Sequence, residues 1–259
     1  MNENDKAGKT SAQAALDEAL YQVCAKGTVE EVRALLARGA NPNAAHRETP
    51  WYDEDGTMRE TYYCIHEAAL NPDLRVLEAL VEAGADPNQV NSWGQQALEI
   101  AGCHNTLEAV RRLVELGNDP NGFDIDGGSV LSWAALNPDI RVVEFLLEHG
   151  AELDNTAWNE TELAKALQRG TPERVRFFLE HGSDMDEVWT ETLREVPLEN
   201  LLVLLEHGYD PYAPADNWVP DGRRLVDVLD PERKALFEEF RARKTRKERH
   251  EGRGQQNMT

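Results

Sequence analysis

The sequence lacks the features that would point to an enzyme or a membrane protein. No uninterrupted apolar run is long enough to span a bilayer, and residues 1–13 contain no apolar segment of the kind that signal peptides carry. No phosphate-binding glycine loop, dinucleotide fingerprint, HExxH motif or nucleophile elbow occurs. We therefore expect a cytoplasmic protein that is not an enzyme and takes no small-molecule substrate.

Cysteine is scarce, with three in 259 residues, which argues against a disulfide framework. Cys24, Cys64 and Cys103 fall on successive predicted helices, so we expect buried free thiols and a reducing compartment. A zinc site made from Cys64, His66, Cys103 and His104 would lack the paired cysteine spacing of known zinc sites. We predict that the chain binds no metal and no cofactor.

Basic residues are also few, at 27 Lys and Arg against 48 Asp and Glu, for a formal net charge of −21. Residues 241–259 contain seven Lys and Arg against two acidic residues, so the chain before them is more acidic still. Such a surface repels nucleic acid phosphates and favours a basic protein partner, although the charge could serve solubility alone. The basic tail could contact RNA, an anionic membrane or the acidic body, or be only a solvated end.

What the sequence does contain is an internal repeat of 33 residues. Residues 91–121 and the segment after them share small residues, apolar pairs and closing glycines at fixed offsets, so that Gly94 recurs as Gly127 and Gly117 as Gly150. Within each repeat the pattern predicts a short helix, a turn, an amphipathic second helix and a second turn after the glycine. Such a period indicates a repeat array rather than one globular core.

The repeat resembles the ankyrin repeat, whose first helix carries the motif G-x-T-P-L-H-x-A. Here the motif occurs as GQQALEIA at residues 94–101 and GGSVLSWA at residues 127–134, and its Leu-His element is best kept as IHEAA at residues 65–69. The resemblance implies an all-α ankyrin-repeat solenoid of about six helix-turn-helix units, with hairpin-like fingers and a C-terminal capping helix. It also implies that partners bind to the hairpin tips and the concave face of the first helices.

The expected domain organisation has three parts. Residues 1–12 are predicted to be a flexible N-terminus, residues 13–244 the ankyrin-repeat solenoid, and residues 245–259 a basic disordered tail. An insertion between the first two repeats predicts an extended finger at residues 46–60. The capping helix, which would cover the last open face of the array, is expected at about 225–243.

Two recurring segments predict helix ends rather than a site. Ala-Leu-Asn-Pro-Asp occurs at residues 69–73 and 135–139, where Asn and Asp can cap the second helix and Pro fits its first turn. Glu-His-Gly occurs three times, with His149, His181 and His207 each placed before a closing glycine. A histidine at that position interacts favourably with the carbonyl end of a helix.

The candidate partner-binding residues follow from the repeat register. Trp93 and Trp158 occupy the same hairpin-tip position two repeats apart, with Asp126 between them, and the two indoles would lie roughly 20 Å from each other. Exposed Trp and Tyr are enriched at interface hot spots, and the alternative is that each Trp packs on the neighbouring finger. The full predicted set adds the inserted finger, the neighbours of the tips and the ends of the first helices: Trp51, Tyr52, Tyr62, Trp93, Gln95, His104, Asp126, Asn137, Trp158, Glu160 and Arg169.

These observations predict a monomeric, non-catalytic protein-protein interaction module that binds a basic protein partner through hairpin tips and the concave helix face. One alternative is an immunity or inhibitor protein that neutralises a cognate toxin or nuclease. Another is a regulatory subunit that docks on RNA or a membrane through its basic tail.

Overall fold

The computed structural model describes residues 3–47, 61–155, 161–188, 190–212, 226 and 229–256. The chain divides into two compact units, Met1–Glu162 and Leu163–Thr259. Most of the predicted finger lies outside the described residues, as do four of the predicted partner-binding residues, namely Trp51, Tyr52, Trp158 and Glu160.

The helices of the first compact unit come in pairs, each a first helix followed by a second helix. The pairs are α1 (Glu3–Cys24) with α2 (Val29–Ala37), α3 (Cys64–Ala68) with α4 (Leu74–Glu82), α5 (Ala97–His104) with α6 (Leu107–Glu115), and α7 (Val130–Ala134) with α8 (Ile140–Glu148). The second helices are amphipathic, because their buried residues recur at spacings of three and four. The paired helices confirm the predicted all-α repeat architecture.

The remaining helices continue the same alternation to the end of the chain. They are α9 (Glu162–Arg169) with α10 (Pro172–His181), then a 3-10 turn (Met185–Glu187), α11 (Thr190–Leu193) with α12 (Leu198–Glu206), and α13 (Pro231–Gln256). The first helix of the sixth repeat, α11, is a single turn of four residues. Because α1 begins at Glu3 and α13 continues to Gln256, helix extends into both segments expected to be flexible; the domain boundaries stay predictions.

A two-stranded antiparallel sheet stands at the base of the predicted finger. Strand β1 (Ala45–Arg47) pairs with β2 (Thr61–Tyr63), so that Ala45 lies opposite Tyr63 and Arg47 opposite Thr61. β2 leads directly into α3. The pairing therefore positions Tyr62, one of the predicted partner-binding residues, beside the hairpin of the following repeat.

A glycine in left-handed backbone conformation follows the second helix of every repeat. The φ angles of these glycines range from 92° to 102°, a region that costs a residue with a Cβ atom about 1–2 kcal/mol. At Gly117 an added Cβ would meet nothing within 4 Å, so the glycine is needed for its conformation and not for space. The six closing residues are Gly39, Gly84, Gly117, Gly150, Gly182 and Gly208.

Two glycines of the third repeat can test whether a closing glycine is needed for its positive φ. Gly117→Ala is expected to lower the free energy of unfolding by about 1 kcal/mol, because alanine must adopt a positive φ. Gly102→Ala is the matched control, since Gly102 lies inside α5 and the nearest atom to an added Cβ is the Ala134 Cβ at 3.6 Å. It is expected to be neutral or to stabilise by up to ~1 kcal/mol. Urea unfolding followed by circular dichroism measures both, and destabilisation of equal size by both would contradict this explanation.

Three buried asparagines each connect a repeat to the one before it. The Asn137 amide nitrogen donates to the carbonyl oxygens of Gly102 at 2.8 Å and Asn105 at 2.9 Å. These carbonyls lie at the end of the preceding first helix, where no helical N–H remains to bond them. The same arrangement recurs where Asn71 bonds the carbonyls of Cys24 and Gly27, and where Asn200 bonds those of Leu167 and Gly170.

The two Ala-Leu-Asn-Pro-Asp segments cap the second helices through their aspartates. Asp73 accepts a hydrogen bond from the backbone N–H of Arg75, and Asp139 accepts one from Arg141, each at 3.1 Å. The capping prediction is confirmed for aspartate, but the proline position was wrong. Each proline precedes the capping residue instead of entering the first helical turn, because the aspartate itself is the N-cap.

The histidines of Glu-His-Gly bond the carbonyl ends of their helices, which confirms the structural role predicted for them. His149 Nδ1 lies 2.8 Å from the carbonyl oxygen of Phe145, and His207 Nδ1 lies 2.8 Å from that of Val203. Since a carbonyl only accepts, Nδ1 must carry the hydrogen in each ring. His181 makes the same bond to Phe177 at 2.7 Å.

Candidate functional site

Backbone hydrogen bonds join the hairpins of the second, third and fourth repeats. The Ser92 N–H donates to the Thr61 carbonyl at 3.2 Å, and the Thr61 N–H returns a bond to Ser92 Oγ at 3.0 Å. One repeat further on, the Ile125 N–H donates to the Trp93 carbonyl at 2.9 Å. The three hairpins therefore form one continuous surface within the first compact unit.

Each of the two later hairpins is shaped by a side-chain oxygen that caps its turn. In the third repeat, Asn91 Oδ1 accepts from the N–H groups of Trp93 at 2.9 Å and Gln95 at 3.0 Å. In the fourth repeat, the residue 33 positions later is Asp124, whose Oδ1 accepts from the N–H groups of Asp126 and Gly128. The same turn is thus built with an amide in one repeat and with a carboxylate in the next.

The second oxygen of Asp124 fixes an aromatic side chain. Trp133, on α7, donates its indole N–H to Asp124 Oδ2 at 2.8 Å. The indole lies against the backbone of Gly128, where an added Cβ would stand 3.0 Å from Trp133 Nε1 and 3.1 Å from Asp124 Oδ2. A larger residue here would require the indole or the carboxylate to move by a few tenths of an ångström.

These elements enclose a cavity of about 280 Å³, which we call the tip pocket. The described residues that line it contribute three aromatic side chains, two carboxylates and one amide, and none of these described residues is cationic. The volume is slightly below the 300–1,000 Å³ typical of small-molecule sites, so it suits one side chain better than a nucleotide. The lining residues are Tyr62, Trp93, Gln95, Asp124, Asp126 and Trp133.

Three polar groups of the tip pocket make no hydrogen bond within the described part of the chain. They are the Asp126 carboxylate, the indole N–H of Trp93 and the amide nitrogen of Gln95. Asp124 differs, because its two oxygens already accept three hydrogen bonds. Asp126 is therefore the acceptor available to a guest, while Asp124 contributes a fixed negative charge.

A buried histidine on α3 makes a hydrogen bond to the hairpin of the third repeat. His66 Nδ1 accepts from the Tyr63 N–H at 3.2 Å, so Nε2 carries the hydrogen and donates to the Gln95 carbonyl at 3.1 Å. Burial lowers the pKa of His66 to about 4, against a smaller opposing effect of the bond to Gln95. Both ring nitrogens are used, which argues against His66 as a zinc ligand. In the described ranges, no three His, Cys, Asp or Glu side chains are grouped to hold a metal ion.

A buried glutamate occupies the corresponding motif position in the third repeat. Glu99 is 1% exposed, and its Oε2 accepts from the Gln96 N–H at 3.0 Å while its Oε1 has no partner. Burial raises the pKa of Glu99 to about 8, and the carboxylates of Asp124 and Asp119 act in the same direction. Glu99 stands where the second repeat has His66, so one motif position holds a neutral base in one repeat and a neutral acid in the next.

The structure brings four of the predicted partner-binding residues together in the tip pocket: Tyr62, Trp93, Gln95 and Asp126. Trp93 is half-buried, neither fully packed nor fully exposed. His104 and Arg169 are exposed where α5 and α9 end, but they do not line the pocket.

Asn137 is a different case. It lies beyond the end of α7 at Ala134, it is 1% exposed, and its amide bonds the preceding repeat. We therefore leave it out of the proposed binding surface.

Sequence reasoning did not select Asp124 and Trp133, which complete the tip pocket. The signal for Asp124 was its register, because it replaces the turn-capping Asn91 with a charged residue of the same shape. Trp133 sits beside the motif serine of its repeat, where the preceding repeat has Ile100. The repeat pattern does not indicate that the Trp133 side chain contacts the hairpin of its own repeat, so only the tertiary structure shows its hydrogen bond to Asp124.

Comparisons with known proteins agree with these observations. Residues 65–157 match the sequence model of ankyrin repeats in three copies. BCL-6 corepressor-like protein 1 of Homo sapiens is 31% identical over 101 residues, which are 39% of this chain and 4% of that protein. A Pyrobaculum aerophilum protein named as an ankyrin repeat protein is 32% identical over 95 residues, which are 37% of this chain and 31% of that protein. The chain thus spans less than a third of the length of either relative.

A solved structure extends the likeness in fold. The crystal structure of the human ASB11 ankyrin repeat domain matches 84% of this chain and 95% of that chain, with a TM-score of 0.65 and 22% sequence identity. The fold and the hairpin surface define an all-α helical repeat protein. Residues 65–157 thus carry ankyrin repeats, and the fold of the chain is similar to that of an ankyrin repeat domain. In the part of the chain that the structure describes, no helix has the length and apolarity needed to cross a membrane.

Proposed function

We propose that this chain is a protein-interaction module that holds a basic protein partner on the hairpin surface of its second to fourth repeats. Ankyrin repeats are in general protein-protein interaction modules, so the class of function follows from the family. The observation that carries the specific proposal is the tip pocket, where Trp93 and Asp126 present unused polar groups and the described lining residues include no cation.

The charge of the whole chain supports a basic partner. A formal net charge of −21 raises the encounter rate with a positively charged protein through long-range attraction, most strongly at low salt. Aromatic residues such as Tyr62 and Trp93 then supply the contact area that dominates binding free energy at hot spots. The negative charge thus speeds the encounter with the partner, and the aromatic contacts of the pocket slow its dissociation.

The same proposal includes a non-catalytic monomer that works in a reducing compartment such as the cytoplasm. The support for the compartment is that Cys24, Cys64 and Cys103 are all buried free thiols. Inhibition of a toxin or nuclease, and docking of the basic tail on RNA or a membrane, stay predictions that the partner's identity would decide.

The test begins with capture of partners from native lysate on the immobilised chain, followed by titration of each captured protein. Trp93→Ala is expected to weaken the true partner about thirtyfold, or about 2 kcal/mol, because a truncated anchor loses its buried contact area. Asp126→Asn is expected to lower the association rate and flatten its salt dependence, since it removes an exposed charge that attracts the partner.

Two control variants separate this site from general surface effects. Phe123→Ala truncates an aromatic residue that is 65% exposed on the same hairpin but does not line the tip pocket. Glu108→Gln removes an exposed carboxylate of α6. Both controls should leave affinity nearly unchanged. If a folded Trp93→Ala, Asp126→Asn double variant binds the partner as tightly as the original chain, the proposed site is wrong.

A further inference from the structure

We propose that the tip pocket is a receptor for one arginine side chain of the partner. This inference rests on the proposed function and adds to it the chemical group that is recognised. Its starting point is the composition of the lining, in which aromatic faces and carboxylates converge from three consecutive repeats.

The lining selects a cation. Tyr62, Trp93 and Trp133 present aromatic rings, whose negative faces attract a cation within about 6 Å. Asp124 and Asp126 add two carboxylates to the same cavity, and none of the lining side chains that the structure describes is a cation that could neutralise them. An anionic or neutral guest would leave these charges uncompensated in a partly enclosed space, so a positive side chain has the strongest attraction.

Hydrogen-bonding capacity favours arginine over lysine. Asp126 offers a carboxylate with both oxygens unused, which matches the two parallel N–H groups of a guanidinium. A guanidinium is also flat and weakly hydrated, so it can stack on the Trp93 indole while it bonds Asp126. An ammonium group is compact and strongly hydrated, and it would gain the charge attraction without the stacking.

The tip pocket is held in shape before any guest arrives. Asp124 is fixed by the N–H groups of Asp126 and Gly128 and by the Trp133 indole, at 3.0, 2.8 and 2.8 Å. The Ile125 to Trp93 backbone bond sets the spacing between the third and fourth hairpins. A guest therefore does not have to order the hairpins, and less binding free energy is lost to conformational entropy.

The experiment selects peptides without assuming a partner. A phage-displayed library of random twelve-residue peptides is selected on the full chain, with counter-selection on Asp126→Asn. We expect the recovered peptides to share an arginine at one aligned position. The best peptide is then made with arginine, lysine or the neutral isostere citrulline at that position, and titrated against the chain and its variants by calorimetry.

The expected result is that citrulline weakens binding at least tenfold and lysine at least threefold on the original chain. On Asp126→Asn these differences should shrink to twofold or less. Trp93→Leu, which keeps apolar bulk but removes the aromatic face, should weaken the arginine peptide tenfold while Phe123→Ala leaves it unchanged. These results together would support the assignment.

Three outcomes would overturn it: recovery of no peptide that prefers the original chain, equal or tighter binding of the lysine peptide, or binding that both site variants leave intact. The proposed function fails in a different way, through partner capture that does not depend on Trp93 or Asp126. A partner that needs both residues, combined with peptides indifferent to arginine, would retain the interaction site and reject only its arginine specificity.

Discussion

Asn137→Ala is expected to lower the free energy of unfolding by about 3 kcal/mol or more. The substitution removes two bonds to the carbonyls of Gly102 and Asn105 and a third in which Asn137 Oδ1 accepts from the Asp139 N–H at 2.9 Å. Each buried polar group left without a partner costs about 1–3 kcal/mol, and water reaches this position poorly because Asn137 is 1% exposed. Urea unfolding monitored by circular dichroism at 222 nm measures the loss.

The shape of the unfolding curve should change as well as its midpoint. Stability in a repeat protein is the sum of the repeats and of the interfaces between neighbours, and Asn137 contributes to the interface between the third and fourth repeats. A weakened interface should broaden the transition and lower its denaturant slope. If the denaturant slope is unchanged and the free energy of unfolding falls by less than about 1 kcal/mol, the Asn137 amide does not contribute significantly to the interface between the third and fourth repeats.

Two related variants make this test specific. Asn137→Asp keeps Oδ1 for Asp139 but turns a carboxylate oxygen toward two carbonyl oxygens, so at neutral pH it should destabilise at least as much as alanine. Its penalty should shrink at low pH, where the protonated acid regains one donor. Arg141→Ala, in the following helix, removes only an exposed ion pair with Asp139 and should leave the midpoint nearly unchanged.

Glu99→Gln is expected to stabilise the protein at alkaline pH, by roughly 5 kcal/mol at pH 9. In the folded chain, burial raises the pKa of Glu99 to about 8 from an ordinary value of 4.5, so the folded state holds a proton that the unfolded state has released. Between these values each pH unit removes about 1.4 kcal/mol of stability, since unfolding then releases a proton. The contribution is fully present below pH 4.5 and is lost as pH rises through 8.

A neutral amide at position 99 cannot ionise, so the variant should lack this part of the pH dependence. Denaturant midpoints for both proteins at pH 5, 7 and 9 give the difference directly: near zero at pH 5 and growing with pH. Glu108→Gln changes an exposed carboxylate of α6 and should show no such growth. If the Glu99→Gln difference is constant from pH 5 to 9, the carboxyl is not held in its neutral form.

The regular part of the fold was predictable because it depends on local chemistry. Gly84, Gly117 and Gly150 lie 33 residues apart, and each adopts the positive φ that a helix end with glycine favours. The apolar spacing of the second helices and the aspartate caps follow from the same short-range rules. The position of each proline before the N-cap was not predicted. In the fourth repeat the Asn137 side chain accepts a bond from the Asp139 N–H, and Asp139 is the residue that caps the helix.

The site was only partly predictable, because repeat register gives the position of a residue in the hairpin but not the contacts of its side chain. Register placed Trp93 and Asp126 at equivalent tips and Tyr62 two residues beyond the corresponding tip. All three line one cavity, and their role in binding stays a prediction. Register also placed Asn137 among them, yet its side chain is buried between repeats. Sequence position alone does not state whether a polar residue faces solvent or satisfies the carbonyl ends of a neighbouring helix.

Periodicity determined the repeat architecture and the helix pairs, the motif resemblance indicated ankyrin repeats, and composition determined the acidic character of this chain. All of these depend on residues close in sequence or on composition alone. The tip pocket was decided by tertiary structure. Hydrogen bonds between successive hairpins bring Tyr62 from β2 beside Trp93, and the inward turn of Asp124 draws Trp133 from α7 back to its own hairpin. Contacts of this kind depend on the exact side chain at one position, so no pattern shared by the repeats encodes them.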